Sequence, residues 1–306
     1  MTNEELIAEI KRLKAERDAL ILAHNYQRPE VQELADYIGD SLGLSVQARD
    51  SDKPVIVFCG VSFMAETAKL LAPDKIVLHP VPHARCPMAD MVSVEDVLAE
   101  RAEHPEAAVL SYVNTNADVK AVSDVICTSR NAVKVAAAIP EGEIALLPDE
   151  NLALYVASRL PGKRIIPGKG FCYVHADMTA QDVMESRAAH PKAVVVVHPE
   201  CPPEVCALAD FVASTGEMVD LARSLEAEEF IIGTEVGMVE RLSRMFPEKR
   251  FYTLGPARVC YNMKKITLEE VYNSLLNMQY EVHIDPEIAE RARRAVERMF
   301  EIGAMK

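Results

Sequence analysis

The sequence predicts an α/β protein of three similar three-layer domains, each with a four-stranded parallel sheet between helices, arranged around a pseudo-threefold axis. Nearly continuous apolar strand-like runs alternate with helical segments, as in parallel sheets covered on both faces. Three cysteines are spaced 86 and then 88 residues apart: Cys86, Cys172 and Cys260. Polar residues repeat with spacings of 88 and 86: His24, Tyr112 and His198. A repeat of this length is too long for a solenoid unit and suits a small α/β domain.

Each predicted repeat is associated with a helix that starts at a capping-box-like sequence. In the second and third repeats this sequence is Ser93…Asp96 and Thr179…Asp182, and the helix ends before a His-Pro pair. Thr267…Glu270 follows the third cysteine, and Thr2…Glu5 stands at the N-terminus. Both chain ends are therefore predicted to complete the first repeat. The predicted domains are residues 1–88 completed by helices in 264–306, residues 89–174, and residues 175–263.

Three strands are recognisable in each repeat as short apolar runs. In chain order they are Ala19–Ala23, Val55–Cys59, Ile76–Leu78, Ala108–Tyr112, Ile144–Leu147, Arg164–Ile166, Ala193–Val197, Phe230–Ile232 and Arg250–Leu254. A short helix after the first strand leads to the related segments 36–41, 124–129 and 210–215. The repeated cysteine follows the last strand. Because ligands bind beyond the carboxyl ends of parallel strands, the strand tips and cysteine loops are predicted to converge on one central cavity.

Composition excludes several classes of function. The chain of 306 residues has a net charge of −14 and no basic run, which argues against nucleic acid or an anionic membrane as a partner. No apolar stretch approaches the roughly 18 residues of a membrane span, and the charged N-terminal helix has no signal-peptide core. A cytoplasmic location is therefore expected, and there an odd count of 7 cysteines favours metal binding or catalysis over disulfides.

The three repeated cysteines lie in loops with glycine, proline or a cation nearby, surroundings that favour the thiolate. Soft ligands distant in sequence suit zinc or an iron–sulfur cluster, and the paired Cys-x-x-Cys spacing typical of zinc is missing. A cluster with three protein thiolates leaves one iron open for catalysis. The alternative is that the cysteines are only buried packing residues kept from a common ancestor. Cys59 and Cys127 are interpreted as packing residues, and a second metal site at Cys201 and Cys206 is a weaker alternative.

Polar residues at matched positions are candidates for proton transfer and anion binding. Hydroxyl residues precede predicted helices in every repeat, namely Ser41, Thr128, Ser129, Ser214 and Thr215. Ordinary N-capping explains any one of them, whereas three sets on one axis suit a substrate with several anionic groups. The strand ends carry His24, Tyr26, Tyr112, Asn114, His198 and Glu200, and His175 follows Cys172. Imidazole, phenol and carboxylate groups move protons near neutral pH, so a catalytic cavity is predicted.

Several separated motifs together resemble those of the quinolinate synthase family over essentially the whole chain. They are Ala23–Gln27, Gly39–Ser45, Cys86–Ala89, Tyr112–Thr115, Cys127–Ser129, Gly170–His175, His198–Cys201, Ser214–Thr215 and Cys260–Lys264. The resemblance implies a 4Fe-4S cluster bound by Cys86, Cys172 and Cys260. It also implies an enzyme of NAD biosynthesis that condenses iminoaspartate with dihydroxyacetone phosphate to quinolinate, losing phosphate and two waters. A separate enzyme would supply the iminoaspartate.

The resemblance also implies roles for individual residues. Tyr26 and Glu200 would transfer protons, with His24, His198 and His175 around them, and Met263 would pack at the cluster. Carboxylates and phosphate would be held by Ser41, Tyr112, Asn114, Ser129 and Thr215, and His24, His198 and Glu200 would also bind substrate. Two departures are a larger residue than expected at Arg130 and no cysteine-bearing stretch after Cys260. Two rival functions are an aconitase-like hydro-lyase acting on another acid and a non-enzymatic iron–sulfur sensor.

Overall fold

The computed structural model describes residues 1–304 and contains three four-stranded sheets with the same topology. Every neighbouring pair of strands is parallel, and in each sheet the first strand lies between the second and the third, with the fourth outside the third. The strands are β1 Ala19–His24, β2 Tyr37–Gly39, β3 Val55–Cys59, β4 Ile76–Leu78, β5 Ala108–Tyr112, β6 Val125–Cys127, β7 Glu143–Leu147, β8 Arg164–Pro167, β9 Val194–Val197, β10 Phe211–Val212, β11 Glu229–Gly233 and β12 Arg250–Thr253. The α/β prediction is confirmed.

Helices flank all three sheets, and their starts follow the capping signals. They are α1 Asn3–Glu16, α2 Pro29–Gln32, α3 Ser41–Asp50, α4 Ser62–Leu71, α5 Val94–Glu103, α6 Ala117–Ala121, α7 Ala132–Ala138, α8 Glu150–Arg159, α9 Tyr173–Ala176, α10 Ala180–Ala189, α11 Pro203–Leu208, α12 Thr215–Ser224, α13 Val236–Met245, α14 Leu268–Asn277 and α15 Pro286–Ala304. Complete capping boxes stand at Thr2, Ser93 and Thr179. At Thr267 the side chain accepts the Glu270 N–H.

The second strand of each sheet lies inside a segment that the sequence marked only as related: 36–41, 124–129 and 210–215. These edge strands have three, three and two residues, which is too short for a period-two pattern to appear. Backbone pairing with the first strand creates them, as in the Leu22↔Tyr37 pair. Tertiary pairing therefore supplies the fourth strand of each sheet.

The same polar contacts recur in all three units. An aspartate before each edge strand accepts a backbone N–H of the first strand at 2.7–2.8 Å: Asp36, Asp124 and Asp210. The same carboxylates pair with cations at matched positions on the preceding helices: Lys14, Arg101 and Arg187. Repetition of a contact that has no catalytic use indicates that the three units share one structural plan.

The two C-terminal helices, α14 and α15, pack against different repeats. Helix α14 packs against α1 and β3 of the first repeat, whereas α15 contacts α6, α7 and β6 of the second repeat as well as α4. The buried face of α15 includes Ala292, Val296 and Met299. The predicted domain limits remain predictions, but α15 bridges two repeats instead of completing only the first. None of the helices in residues 1–304 combines the length and apolarity that a membrane crossing requires.

Candidate active site

One cavity lies where the carboxyl ends of the three sheets meet, with an empty volume of about 680 Å³. All thirteen sequence-predicted site residues line it. They comprise the three thiols (Cys86, Cys172, Cys260), the strand-end and neighbouring groups (His24, Tyr26, Tyr112, Asn114, His175, His198, Glu200) and the hydroxyls (Ser41, Ser129, Thr215). The predicted convergence is thus present, while the roles of these residues remain to be tested.

Each of the three thiols stands just before a single helical turn. The turns are Met88–Met91, Tyr173–Ala176 and Met263–Lys265. Backbone N–H groups of these turns face the sulfurs and favour the thiolate: Met88 and Ala89 for Cys86, His175 for Cys172, and Asn262 and Met263 for Cys260. Burial acts more strongly in the opposite direction and raises the pKa of all three thiols, that of Cys86 to about 12.

These surroundings fit a metal centre. Each thiol disfavours ionisation of the others because they share one buried cavity, and a bound cation reverses that balance. N–H groups directed at sulfur are a recurring feature around iron–sulfur clusters, whose potential they help to set. Three soft donors, one from each repeat, therefore suit an iron–sulfur cluster, as the sequence predicts.

Within residues 1–304 the one group of three metal-binding side chains with ligand atoms within 4.8 Å of one another is Cys172, His175 and Glu200, and the three thiols do not form such a close group. Both ring nitrogens of His175 have close polar neighbours. Nδ1 lies 2.8 Å from Glu200 Oε2, and Nε2 lies 2.8 Å from Thr234 Oγ1. Nε2 is hydrogen-bonded to Thr234, whereas the close contact between Nδ1 and Glu200 lacks the alignment of a hydrogen bond. We interpret this group as a polar cluster beside a thiol and keep it as the alternative metal site.

A chain of four polar contacts, three of them hydrogen bonds, links the three repeats across the cavity. Tyr26 Oη lies 2.6 Å from Thr234 Oγ1, which contacts His175, and His175 contacts Glu200. At the other end Tyr112 Oη donates to Glu200 Oε1 at 2.5 Å. Thr234 was missed by sequence reasoning. The predicted strand-end residues all followed the first strand of a repeat, whereas Thr234 follows β11, a later strand. Applying the strand-end argument to every strand would have found it.

The charges in the cavity are set mainly by burial. Burial lowers the pKa of His24 and of His198 to about 3, so both rings are neutral at pH 7. Burial would raise the pKa of Glu200, but the neighbouring His198 and His175, with the Tyr112 hydrogen bond, hold it below its usual value. Burial raises the pKa of Tyr26 and Tyr112. The cavity therefore holds an ionised carboxylate beside protonated phenols, a donor–acceptor set suited to proton transfer.

A pH dependence of stability follows from the neutral histidines. In the unfolded chain His24 takes up a proton below about pH 6.5, whereas the folded protein resists protonation until about pH 3. The free energy of unfolding should therefore fall as pH decreases from 6.5, by about 1.4 kcal/mol per pH unit for this residue. Urea unfolding of wild type and His24→Asn at pH 7, 6 and 5 tests this, and we expect a shallower loss in the variant. Parallel curves would contradict it.

The capping interpretation holds for Ser214 but not for Ser41 and Thr215. Asp40 and Ser214 cap α3 and α12, so Ser41 and Thr215 occupy the first helical position and their hydroxyls are not the caps. Ser129 lies before the Asn131 cap position of α7 and lines the cavity with Tyr112. Thr215 accepts a hydrogen bond from Asn25 of the first repeat at 2.7 Å. The ends of α3 and α12 thus direct hydroxyls and N–H groups at the cavity, an arrangement that suits anions.

Two buried carboxyls that sequence reasoning missed support the cysteine loops. Glu235 accepts the backbone N–H of Cys260 at 3.2 Å, and Asp149 lies beside the Cys172 loop, where its backbone is bridged to Gly170. They occupy matched repeat positions, 86 residues apart, directly before α13 and α8. Burial raises the pKa of both. The spacing already applied to the cysteines would have found this pair.

Arg130 lies outside the cavity wall, so its size does not disturb the Ser129 position. Its guanidinium reaches Asp220 of the third repeat at 2.9 Å and Asp40 of the first at 3.6 Å. The side chain is 41% exposed, and exposed ion pairs contribute little. We expect Arg130→Ala to lower the free energy of unfolding by no more than about 1 kcal/mol in urea titration. A larger loss would show that the three-way contact holds the repeats together.

The remaining cysteines are explained by packing. Cys59 and Cys127 are fully buried in strands, and burial raises the pKa of both thiols. Cys201 is buried with its sulfur 3.6 Å from Met178 Sδ. Within residues 1–304 no close group of metal-binding side chains includes Cys201 or Cys206. Met263 is buried on the cavity wall, as predicted, and lies 3.6 Å from Gln27 Nε2.

Comparison with known proteins agrees with this site. The family model described as Quinolinate synthetase A protein matches residues 8–301. The chain belongs to the quinolinate synthetase A family. It is 52% identical over 297 residues to a quinolinate synthase of Clostridium kluyveri, covering 97% of this chain and 98% of the relative. Over 302 residues it is 51% identical to the quinolinate synthase of Pyrococcus furiosus, with 98% and 99% covered. Over 303 residues it is 48% identical to that of Caldicellulosiruptor saccharolyticus, with 99% and 100% covered.

Proposed function

We propose that this protein is a cytoplasmic quinolinate synthase of NAD biosynthesis, condensing iminoaspartate with dihydroxyacetone phosphate and releasing phosphate and two waters. One observation supports this most: the three thiols and the polar side chains of all three repeats line one cavity in a member of the quinolinate synthetase A family. Atoms balance in this reaction without an oxidant. A separate iminoaspartate-producing enzyme would supply one substrate.

Anion binding in the proposal falls to one part of the cavity wall. Ser41, Ser129 and Thr215 would hold carboxylate and phosphate oxygens, together with the N–H groups at the starts of α3 and α12. Asn114 and the neutral imidazoles of His24 and His198 add hydrogen-bond groups without adding charge. Such groups orient anionic reactants while leaving their charge free to change during the reaction.

Proton transfer in the proposal uses the chain of polar contacts. Glu200, held ionised beside His175, would accept a proton from the carbon that forms the new bond. Tyr26 would donate a proton to a leaving hydroxyl, because its phenol stays protonated in the buried cavity. Thr234 and His175 join these two groups, so a proton taken up at Glu200 has a route through close polar contacts back to Tyr26.

The proposed cofactor is a 4Fe-4S cluster held by Cys86, Cys172 and Cys260. When bound with three protein thiolates, it supplies a Lewis-acidic iron suited to the loss of hydroxyl as water. What this chain contributes is a buried cavity, three converging thiols and the backbone N–H groups that stabilise them as thiolates.

Anaerobic purification tests the proposal directly. The protein would be reconstituted with iron and sulfide and supplied with both substrates, iminoaspartate being generated in the assay, and quinolinate measured by liquid chromatography. We expect quinolinate that depends on both substrates. Cluster-loaded protein that forms none would overturn the proposed function, and dehydration of another hydroxy acid would favour the hydro-lyase alternative.

A further inference from the structure

Three residues outside the proposed catalytic set occupy matched positions with the repeat spacing of 88 and 86: Gln32, Lys120 and Cys206. They lie on the short helices α2, α6 and α11, each of which follows the loop after the first strand of its repeat. Those loops begin with the strand-end residues that face the cavity. The three side chains differ chemically, yet each contacts backbone carbonyls of its own loop.

Gln32 holds the loop of the first repeat. Its Nε2 donates to the carbonyl oxygens of Asn25 at 2.9 Å and Gln27 at 3.1 Å, and lies 3.5 Å from that of His24. The side chain is buried, with 2% of its surface exposed. Its Oε1 accepts from Arg244, which fixes the orientation of the amide. The three carbonyls span the segment that presents His24 and Tyr26.

Lys120 does the same in the second repeat. Its Nζ donates to the carbonyl oxygens of Val113, at 2.9 Å, and Thr115, which are the two residues flanking Asn114. The side chain has no exposed surface. A buried ammonium is costly unless it is paired and hydrogen-bonded, and its charge is favoured by nearby Glu66. The proposed reaction gives Lys120 no role. Its contacts indicate that this buried cation holds the loop in place.

Cys206 takes the equivalent place in the third repeat. Its Sγ lies 3.4 Å from the Cys201 carbonyl oxygen and 3.9 Å from that of His198. The loop between them carries Glu200, whose own carbonyl accepts from Asn151 at 3.1 Å. A thiol is a weak donor, so this loop is held less strongly by its matched residue than the other two.

We propose that Gln32, Lys120 and Cys206 are equivalent positioning residues, each bonding the carbonyls of a post-strand loop and thereby fixing the side chains that the loop presents to the cavity. Turn N–H groups already bond the carbonyls of His24, Val113 and His198. The matched side chains add a second donor there and also reach a neighbouring carbonyl of the same loop, which fixes the two parts of the loop relative to each other. The same position therefore holds the loop in each repeat. Only the donor group differs, being an amide, an ammonium or a thiol.

Lys120→Met tests this in the full-length protein, because methionine keeps a comparable length and loses the donors. We expect amide hydrogen exchange, followed by mass spectrometry, to accelerate about 10–100-fold in residues 113–116, while residues 25–28 and 199–202 keep their wild-type rates. That range corresponds to losing hydrogen bonds from a charged donor, at about 1.4 kcal/mol per tenfold change. Lys120→Gln introduces the amide that Gln32 provides in the first repeat. It should recover most of the protection from exchange at residues 113–116.

Lys134→Met is the matched control, since this exposed lysine also donates to a carbonyl, that of Gly303 at 2.8 Å, but away from the cavity. It should leave exchange at 113–116 unchanged. If Lys120→Met does not fold, Cys206→Ala and Cys206→Ser give the same comparison. We expect faster exchange at the Glu200 and Cys201 amides in the alanine variant and retained protection in the serine variant.

Unchanged exchange at 113–116 in Lys120→Met, or at Glu200 in Cys206→Ala, would contradict the proposal that these residues position the loops. Equal acceleration in all three loops would also overturn it, because that result indicates general destabilisation. If the protein makes quinolinate, Lys120→Met should also lower kcat by tenfold or more, with recovery in Lys120→Gln. Exchange rates need no substrate, so failure of the proposed reaction and failure of this inference give different results.

Discussion

Glu200→Gln is expected to lower kcat for quinolinate formation by about 10²–10⁴-fold while leaving the visible absorbance of the proposed iron–sulfur centre in place. Glutamine keeps the shape of the side chain but has no charge with which to accept a proton. The wild-type carboxylate is positioned for that role by Tyr112 Oη at 2.5 Å and His175 Nδ1 at 2.8 Å. Steady-state kinetics and an absorbance spectrum of the same anaerobic sample measure both effects.

Glu204→Gln is the control for that variant, because this exposed carboxylate lies four residues away on α11 and outside the cavity. It should behave as wild type. Normal turnover in Glu200→Gln would remove the proposed proton acceptor. Loss of iron from Glu200→Gln would instead support a metal site formed by Cys172, His175 and Glu200.

Cys86→Ser and Cys260→Ser are each expected to lose most of the bound iron and with it all measurable quinolinate formation. Neither residue belongs to the Cys172–His175–Glu200 group, so these two variants separate the three-thiol site from the alternative. Serine is a hard oxygen donor and a poor replacement for a soft thiolate ligand. Iron content per chain, measured after anaerobic reconstitution, is the readout.

Cys127→Ala provides the comparison, since this thiol is buried in β6 and does not line the cavity. It should retain iron. Full iron content in Cys86→Ser and Cys260→Ser, together with loss of iron in His175→Ala, would refute the three-thiol centre and assign the metal to the other group.

Much of the fold could be predicted because its signals are local. Strands β3, β4 and β5 have the predicted bounds, since their buried apolar runs are bordered by turns or caps. The edge strands and the bridging position of α15 were not predictable, because they depend on pairing with partners distant in the chain. All thirteen predicted residues line one cavity because the repeat places them at equivalent strand ends.

By itself the sequence determined that three related units each bring one thiol and a set of polar side chains to the carboxyl ends of parallel strands, since spacing and strand patterns are properties of the chain alone. Only the tertiary structure decided how those side chains meet. The contacts from Tyr26 through Thr234 and His175 to Glu200 and Tyr112 join all three repeats. A hydrogen bond needs its donor and acceptor atoms within about 3 Å of each other. Packing between the units sets these distances, and residue spacing along the chain does not contain them.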